Sequence, residues 1–304
     1  MKRIMETNQI TVIGSSNTDM VVKTTRLPVP GETVLGGSFF MNAGGKGANQ
    51  AVAAARLGGR VNFVARTGND IFGSQSRQLF LDEHINISHV VIDAVHPSGV
   101  ALIAVDDHAE NLIVVAPGAN GNLQGEDIDQ AAQTIRNSGI ILLQLEIPLE
   151  TVIYATELAW SAGTKVVLNP APARELPDEL IRKLYLITPN ETEAEILTGV
   201  HVQDETSAEK AAGVLKSKGV QHVIITLGSK GAYYSSARER EMIPAPKVTP
   251  VDTTAAGDVF NGAVCVALAE GLTMPQAITF ANKAAAISVT RRGAQASAPY
   301  RHEI

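Results

Sequence analysis

Short apolar runs alternate along most of the chain with longer stretches whose apolar residues recur every three or four positions. Ile10-Thr-Val-Ile-Gly14 has the length of a buried strand and stops on glycine. Residues 48–57 are alanine-rich with helical spacing and close on Gly58-Gly59, a helix followed by its stop signal. Residues 61–65 read as a strand, and residues 70–83 have helical periodicity. In the second half, residues 140–145, 165–168, 185–188 and 222–226 predict core strands, with helices between them at 149–162, 191–197 and 208–218. Such strands, apolar throughout and separated by helices, predict an α/β fold: a mostly parallel, doubly wound sheet flanked by helices.

Two segments break the rhythm. Residues 20–41 read as strands around the turn Pro28-Val-Pro-Gly31, and residues 98–115 as two more around Asp106-Asp107. No helix pattern follows either, so both are expected to leave the main sheet as a small β-lid over the site. Without internal repeat or linker, residues 1–304 are expected to form a single domain of this kind. A doubly wound sheet presents ligands at the carboxyl ends of its strands, so chemical residues are expected after strands or at helix starts.

Composition narrows the functional classes. The 304 residues suffice for a large core, and 45% hydrophobic with 18% charged residues is a globular balance. A net charge of −6 argues against a nucleic-acid partner, which normally meets a basic face. Cys265 is the only cysteine, so no intrachain disulfide is possible and the chain suits a reducing cytoplasm. Set in Gly262-Ala-Val-Cys-Val-Ala-Leu-Ala269, it reads as a small buried hydrophobe. No apolar stretch nears the roughly 20 residues of a spanning helix, so no membrane partner is expected. The charged residues 1–8 lack the apolar core of a signal peptide. The seven histidines have no metal-site spacing.

Glycine clusters mark the candidate chemistry. The strongest is Asp252-Thr-Thr-Ala-Ala-Gly-Asp258, followed by an apolar helical pattern. Ala255, Ala256, Gly257 and Asp258 fall in a first helical turn, where backbone N–H groups lack internal partners and the helix dipole is positive. Small residues there admit a phosphate, so the turn is a candidate cradle for a γ-phosphoryl group in transfer. Asp258 is then placed to take the proton of an attacking hydroxyl, which a loose phosphoryl-transfer transition state requires only late. Locally, an Asp in a first turn reads equally well as a cap.

Gly44-Gly-Lys-Gly-Ala-Asn-Gln50 also precedes a helix. It lacks the Ser or Thr of a Walker A loop. It does not complete a dinucleotide fingerprint either, since Gln50 stands where a third glycine belongs and no strand is expected directly before it. Its glycines permit close approach of a ligand, with Lys46 and Asn49 facing a polar substrate; a plain helix-start turn is the other reading. Thr188-Pro-Asn-Glu-Thr-Glu-Ala-Glu195 opens a helix, where Asn190, Glu191 and Glu193 suit capping. They equally suit a nucleotide site, Glu193 holding Mg²⁺ through water and Asn190 near a phosphate. Thr226-Leu-Gly-Ser-Lys-Gly231 follows a strand in the manner of a nucleotide-contacting turn.

In this order the four signals resemble the ribokinase branch of the PfkB carbohydrate kinase family. The Gly44 cluster is similar to its first signature, and Asp252-Thr-Thr-Ala-Ala-Gly-Asp-Val-Phe-Asn-Gly262 to its second. Asn169-Pro-Ala-Pro-Ala-Arg-Glu-Leu-Pro-Asp178 and Ile187-Thr-Pro-Asn-Glu-Thr-Glu-Ala-Glu195 add to the likeness, which runs over residues 10–303. The resemblance implies transfer of the γ-phosphate of ATP to the 5-hydroxyl of a pentose. Ribose comes first and 2-deoxyribose is the close rival, with Asp258 as catalytic base. A non-catalytic sugar or nucleotide sensor on the same fold is the alternative from another class, and the retained Asp258 and glycines speak against it.

The resemblance also implies roles by position. Asn17, Asp19, Gly45, Lys46, Asn49 and Glu146 match sugar contacts. Asn190, Thr226, Gly228, Ser229, Gly231 and Asn282 match an ATP site, with Gly257 in its anion hole. Asp252, Thr254, Ser288, Arg291, Gly293 and Ser297 match a monovalent-cation site for K⁺, built largely of backbone carbonyls. A cytoplasmic homodimer paired through the β-lids is implied as well. Residues 1–8 extend beyond the family's usual start and are expected to be disordered, while family members commonly continue past the position of Ile304 as a short helical tail. Ala43 stands where a bulkier residue also occurs, which is expected to leave room beside the sugar.

Overall fold

β1 (Gln9–Ile13) lies inside a nine-stranded sheet and is hydrogen-bonded on both sides by parallel neighbours, β4 (Arg60–Gly68) and β8 (Ile140–Leu143). The computed structural model describes residues 8–108 and 110–304. Between β1 and β4 come β2 (Asn17–Lys23), β3 (Ser38–Gly44) and α1 (Lys46–Arg56). Then follow α2 (Ile71–Asp82), β5 (Asn86–Asp93), β6 (Gly99–Val105), β7 (Asn111–Ala116), α3 (Gly125–Gln130) and α4 (Ala132–Asn137) before β8. Beyond β8 the chain alternates through α5 (Leu149–Ala162), β9 (Lys165–Leu168), α6 (Asp178–Ile181), β10 (Leu186–Ile187), α7 (Glu191–Thr198), α8 (Glu205–Ser217) and β11 (His222–Thr226). It ends with β12 (Ala232–Ser235), β13 (Arg240–Ile243), α9 (Ala256–Ala269) and α10 (Met274–Ser288). The expectation for the N-terminal extension falls on residues 1–7, outside those described; Asn8 is exposed just before β1.

The sheet order is β13-β12-β11-β10-β9-β8-β1-β4-β5. From β1 the chain builds one way through β4 and β5, then returns to the other side of β1 and continues through β8 to β11, all parallel. The direction of winding therefore reverses beside β1, the point where open α/β sheets bind ligands. Alternate strand residues fill two cores. Ile10, Val12, Ile140 and Leu142 pack with α1, α9 and α10, while Ile13, Ile141 and Leu143 pack with α5, α7 and α8. Burial on both faces is why these strands read as unbroken apolar runs. β12 and β13 close the edge as an antiparallel hairpin that the sequence pattern did not reveal. β12 is buried throughout and shows no alternation, and β13 is a polar edge.

β2, β3, β6 and β7 leave the main sheet and form a second one in the order β3-β2-β6-β7. β3 runs directly into the glycine cluster at Gly44, so the expectation that no strand precedes that cluster is overturned. Its Ser-Phe-Phe-Met stretch, within the strands expected over residues 20–41, is exposed residue after residue, and the strand continues beyond that expectation to Gly44. The pairing register puts Asn17, Asp19, Asn42, Gly44 and Ala101 on one face. The opposite face carries Met20, Val22, Phe39, Met41, Leu102, Leu112 and Val114. Ala43 pairs with Thr18 on that opposite face, turned away from Asp19, so its small size leaves no room beside a ligand at Asp19. Among the described residues no helix is long and apolar enough to cross a membrane.

Candidate active site

The carboxyl ends of β1 and β8 and the start of α1 are tied by one carboxylate. Ser15 Oγ donates to Glu146 Oε2 at 2.5 Å, and the Lys46 backbone N–H donates to the same oxygen at 3.0 Å. The Ala48 N–H reaches Ser15 O at 2.8 Å, so the first turn of α1 lies on the loop after β1. Gly47 makes this possible, because a Cβ there would come within 2.6 Å of the Ser15 nitrogen. Sequence reasoning placed Glu146 here but missed Ser15, whose signal is only its position directly after the first strand.

Asn17 and Asp19 project from the same face of β2. Asn120 Nδ2 donates to Asn17 Oδ1 at 2.7 Å, which leaves the Asn17 NH₂ to donate to a ligand. Asn120 is itself held by the Ser16 N–H at 2.8 Å. The Asp19 carboxylate lies against Gly44, where any side chain would overlap it. Burial, followed by the negative charges of Glu146 and Asp258, raises Asp19 to about 6 against the pull of Lys46.

Asp258 sits in the first turn of α9 and is buried. It does not cap the helix. Asn49 Nδ2 donates to its Oδ2 at 2.9 Å, and Gln50 Nε2 to its Oδ1 at 2.9 Å. Burial raises its pKa, and Lys46, Asn49 and Gln50 pull it back. Lys46 is held above its ordinary value: burial works against the ammonium, and Asp258, Glu146, Glu193 and Asp19 outweigh it. Ala255, the residue before α9, adopts a left-handed φ of 59°, a costly conformation for alanine that turns the chain sharply into the helix. The Ala256 N–H reaches Thr253 O and the Val259 N–H reaches Ala255 O. The Gly257 and Asp258 N–H groups between them belong to the turn whose donors have no intrahelical acceptor. Gly257 is exposed, with open space where its side chain would be. The Asn49 Oδ1 is buried with no protein partner, an acceptor left for a ligand donor.

The second half of the cleft is assembled from two turns. An isolated bridge between Asn190 and Thr226 brings their segments side by side. Asn190 and Glu193 form a reciprocal cap: Asn190 Oδ1 accepts from the Glu193 N–H at 2.8 Å, and Glu193 Oε2 from the Asn190 N–H at 2.9 Å. Burial raises Glu193. Gly228 and Ser229 lie exposed in the turn after β11, which closes at the buried Gly231. Asn282 Nδ2 donates to Ile243 O at 3.1 Å and Pro244 O at 3.2 Å, fixing the segment after β13.

Of the six residues matched to a cation site, three converge through Asp252. Its Oδ1 accepts from the Thr254 N–H and its Oδ2 from the Gly293 N–H, both at 2.9 Å. The Ser288 and Ser297 hydroxyls bond to Ala285 O and Ala294 O, and Arg291 pairs with Glu303. The two serine side chains thus turn back onto their own segments, and Arg291 ties its loop to the C-terminal turn at Glu303. Among the described residues no three His, Cys, Asp or Glu side chains converge as a direct metal cage. Cys265 is fully buried, and burial pushes its thiol far up, which leaves it no nucleophilic role.

A buried carboxylate at a helix N-terminus, facing carboxylate and amide groups that suit a polyol, is the arrangement of a kinase acting on a small hydroxylated acceptor. The family model for pfkB family carbohydrate kinases matches residues 7–301, and the chain belongs to that family. It is 48% identical to a ribokinase of Haemophilus influenzae over 97% of this chain and 96% of that one. It is 40% identical to a deoxyribokinase of Salmonella typhi over 95% of each. In structure it is similar to a ribokinase of Arabidopsis thaliana complexed with ribose and ATP, with a TM-score of 0.90, 33% identity and coverage of 97% and 96% of the two chains.

Proposed function

We propose that the protein transfers the γ-phosphoryl group of ATP to the 5-hydroxyl of D-ribose, with Asp258 as general base. The observation that carries this reading is the environment of Asp258: a buried carboxylate, held on both oxygens, in the first turn of α9 and within electrostatic reach of Lys46, Glu146 and Asp19. The ribokinase names of full-length relatives and the ribose and ATP bound by the Arabidopsis protein support it.

In this reading Asp19 and Glu146 accept hydrogen bonds from ring hydroxyls, while Asn17 and Lys46 donate. Asn49 uses its free Oδ1 on the sugar and its NH₂ on Asp258. The Gly257 and Asp258 N–H groups meet the charge that develops on the transferring phosphoryl group. Thr226, Gly228, Ser229 and Gly231 line the nucleotide, and the small second sheet closes the sugar side as a lid. The free oxygen of Glu193 fits an Mg²⁺ ion held through water, which when bound neutralises phosphate charge. Asp252 fits a supporting role for K⁺, since it links the loops at 252–254 and 291–293 whose carbonyls would ligate it. ADP release assayed with ribose, 2-deoxyribose and fructose, each in K⁺ and in Na⁺, is expected to be fastest with ribose in K⁺. Faster turnover of 2-deoxyribose would favour the reading that the deoxyribokinase relative supports, and equal rates in both salts would remove the K⁺ site.

The outer face of the second sheet supports a homodimer. Phe39 is 60% exposed and Val114 65%, and Met41, Leu102 and Leu112 extend the same apolar surface. An apolar face four strands wide is a surface that a partner normally covers, and a second copy of this chain supplies a matching one. A dimer at micromolar concentration is expected from sedimentation, and Phe39→Glu with Val114→Glu is expected to give a monomer of nearly unchanged Tm. A wild-type monomer with full activity overturns the proposal.

A further inference from the structure

Gln50 is fully buried in α1 and meets only protein atoms, yet it holds the base directly. We propose that Gln50 is the positioning residue of Asp258, fixing the rotation of its carboxylate and favouring its ionised form through a chain of amides that begins at Gln144. The proposal rests on Asp258 being the base.

The chain has one allowed orientation. Gln144 Nε2 donates to Gln50 Oε1 at 2.6 Å. Gln50 Nε2 then spends one hydrogen on Asp258 Oδ1 at 2.9 Å and the other on Asn169 Oδ1 at 3.0 Å. Asn169 is oriented in turn by its own Nδ2, which reaches Thr188 O at 3.3 Å. Turning the Gln50 amide over would set its oxygen against a carboxylate and a carbonyl, and its NH₂ against the NH₂ of Gln144. Gln50, Gln144 and Asn169 are all buried, which shields these hydrogen bonds from bulk solvent. The two residues that grip Asp258 therefore differ in kind. Asn49 has a free oxygen for a ligand, whereas every polar atom of Gln50 is used within the protein.

The charged groups around Asp258 come from four other places: Lys46 at the start of α1, Asp19 on β2, Glu146 after β8 and Glu193 on α7. Three of the four are acidic and oppose ionisation of Asp258. Short-range donation from Asn49 and Gln50 joins Lys46 against them.

The test is the single-turnover rate of phosphoryl transfer to ribose against pH, at saturating ATP and sugar, in the wild type, Gln50→Met and Gln144→Met. Loss of one donor to a charged acceptor is expected to move the midpoint of the acid limb up by about one to two pH units in Gln50→Met. A smaller shift in the same direction is expected in Gln144→Met, and in Gln50→Met KM for both substrates is expected within about twofold of wild type because every polar atom of Gln50 is used within the protein. An acid limb that coincides with wild type in Gln50→Met overturns the proposal, as does a change confined to KM. Should Gln50→Met not fold, Gln144→Met carries the same test, and an unmoved limb there overturns it equally. Asp258→Asn, assayed alongside, separates the two ideas. Full turnover in that variant removes the base itself, whereas an inactive Asp258→Asn with an unmoved Gln50→Met profile removes only the positioning role.

Discussion

Asp258→Asn is expected to lower kcat by about 10²–10⁴-fold, the usual worth of a positioned general base, while ATP and ribose still bind. The amide keeps the size of the carboxylate but cannot take the proton of the 5-hydroxyl. It also changes the local hydrogen bonding, which bears on how the result is read. Asp258 offers an acceptor to Asn49 and another to Gln50. An asparagine presents its own NH₂ to one of those donors, so one hydrogen bond is lost, while the cost of holding a buried charge among acidic neighbours is relieved, and Tm is expected to change little. Calorimetric binding of each substrate separates the two effects: retained affinity with lost turnover identifies missing chemistry, not a displaced helix. Turnover near wild type would remove Asp258 from the base role and leave the start of α9 as an anion-binding turn without one.

Both the fold and the site were partly legible, and for the same physical reason. Residues 165–168, 222–226 and 149–162 match β9, β11 and α5 residue for residue. Each is a buried segment with a clear stop, such as Gly163 in the left-handed conformation after α5. Residues 185–188 narrow to the two residues of β10, because the chain turns there into the cap of α7. The hairpin of β12 and β13 carries no pattern for a sequence to show, and β3, read as far as residue 41, runs on to Gly44. In the site, the glycines and Asp258 stand out because helix starts and close approaches require particular residue types. The partners that hold them do not. Asn120 meets Asn17 across 103 residues of chain and Gln50 meets Asp258 across 208, so their roles exist only once the sheet has formed. Ala43 was expected beside the sugar but lies on the other face of β3, because neighbouring residues of a strand point to opposite sides.

Asp19→Ala is expected to raise KM for ribose by about 10–100-fold, since a hydrogen bond to a charged acceptor is among the stronger polar contacts a sugar can make. The loss should be larger for ribose than for 2-deoxyribose if Asp19 accepts from the hydroxyl that the deoxy sugar lacks. Its titration gives a second, independent signature. In the sugar-free protein, burial and the charges of Glu146 and Asp258 place Asp19 at about 6. A sugar hydroxyl donates to the ionised carboxylate, so binding favours that form. Below pH 6 the protonated form dominates and binding must first expel its proton. KM for ribose is therefore expected to be flat above about pH 7 and to rise by about tenfold per unit of pH below 6. Asp19→Asn keeps the shape but cannot titrate, so its KM should be high and nearly independent of pH over that range. Measuring KM for ribose from pH 5 to 8 at saturating ATP decides the matter. If Asp19→Asn follows the same rise as wild type, another group carries the titration. If Asp19→Ala penalises both sugars equally, Asp19 reads a hydroxyl that the two share.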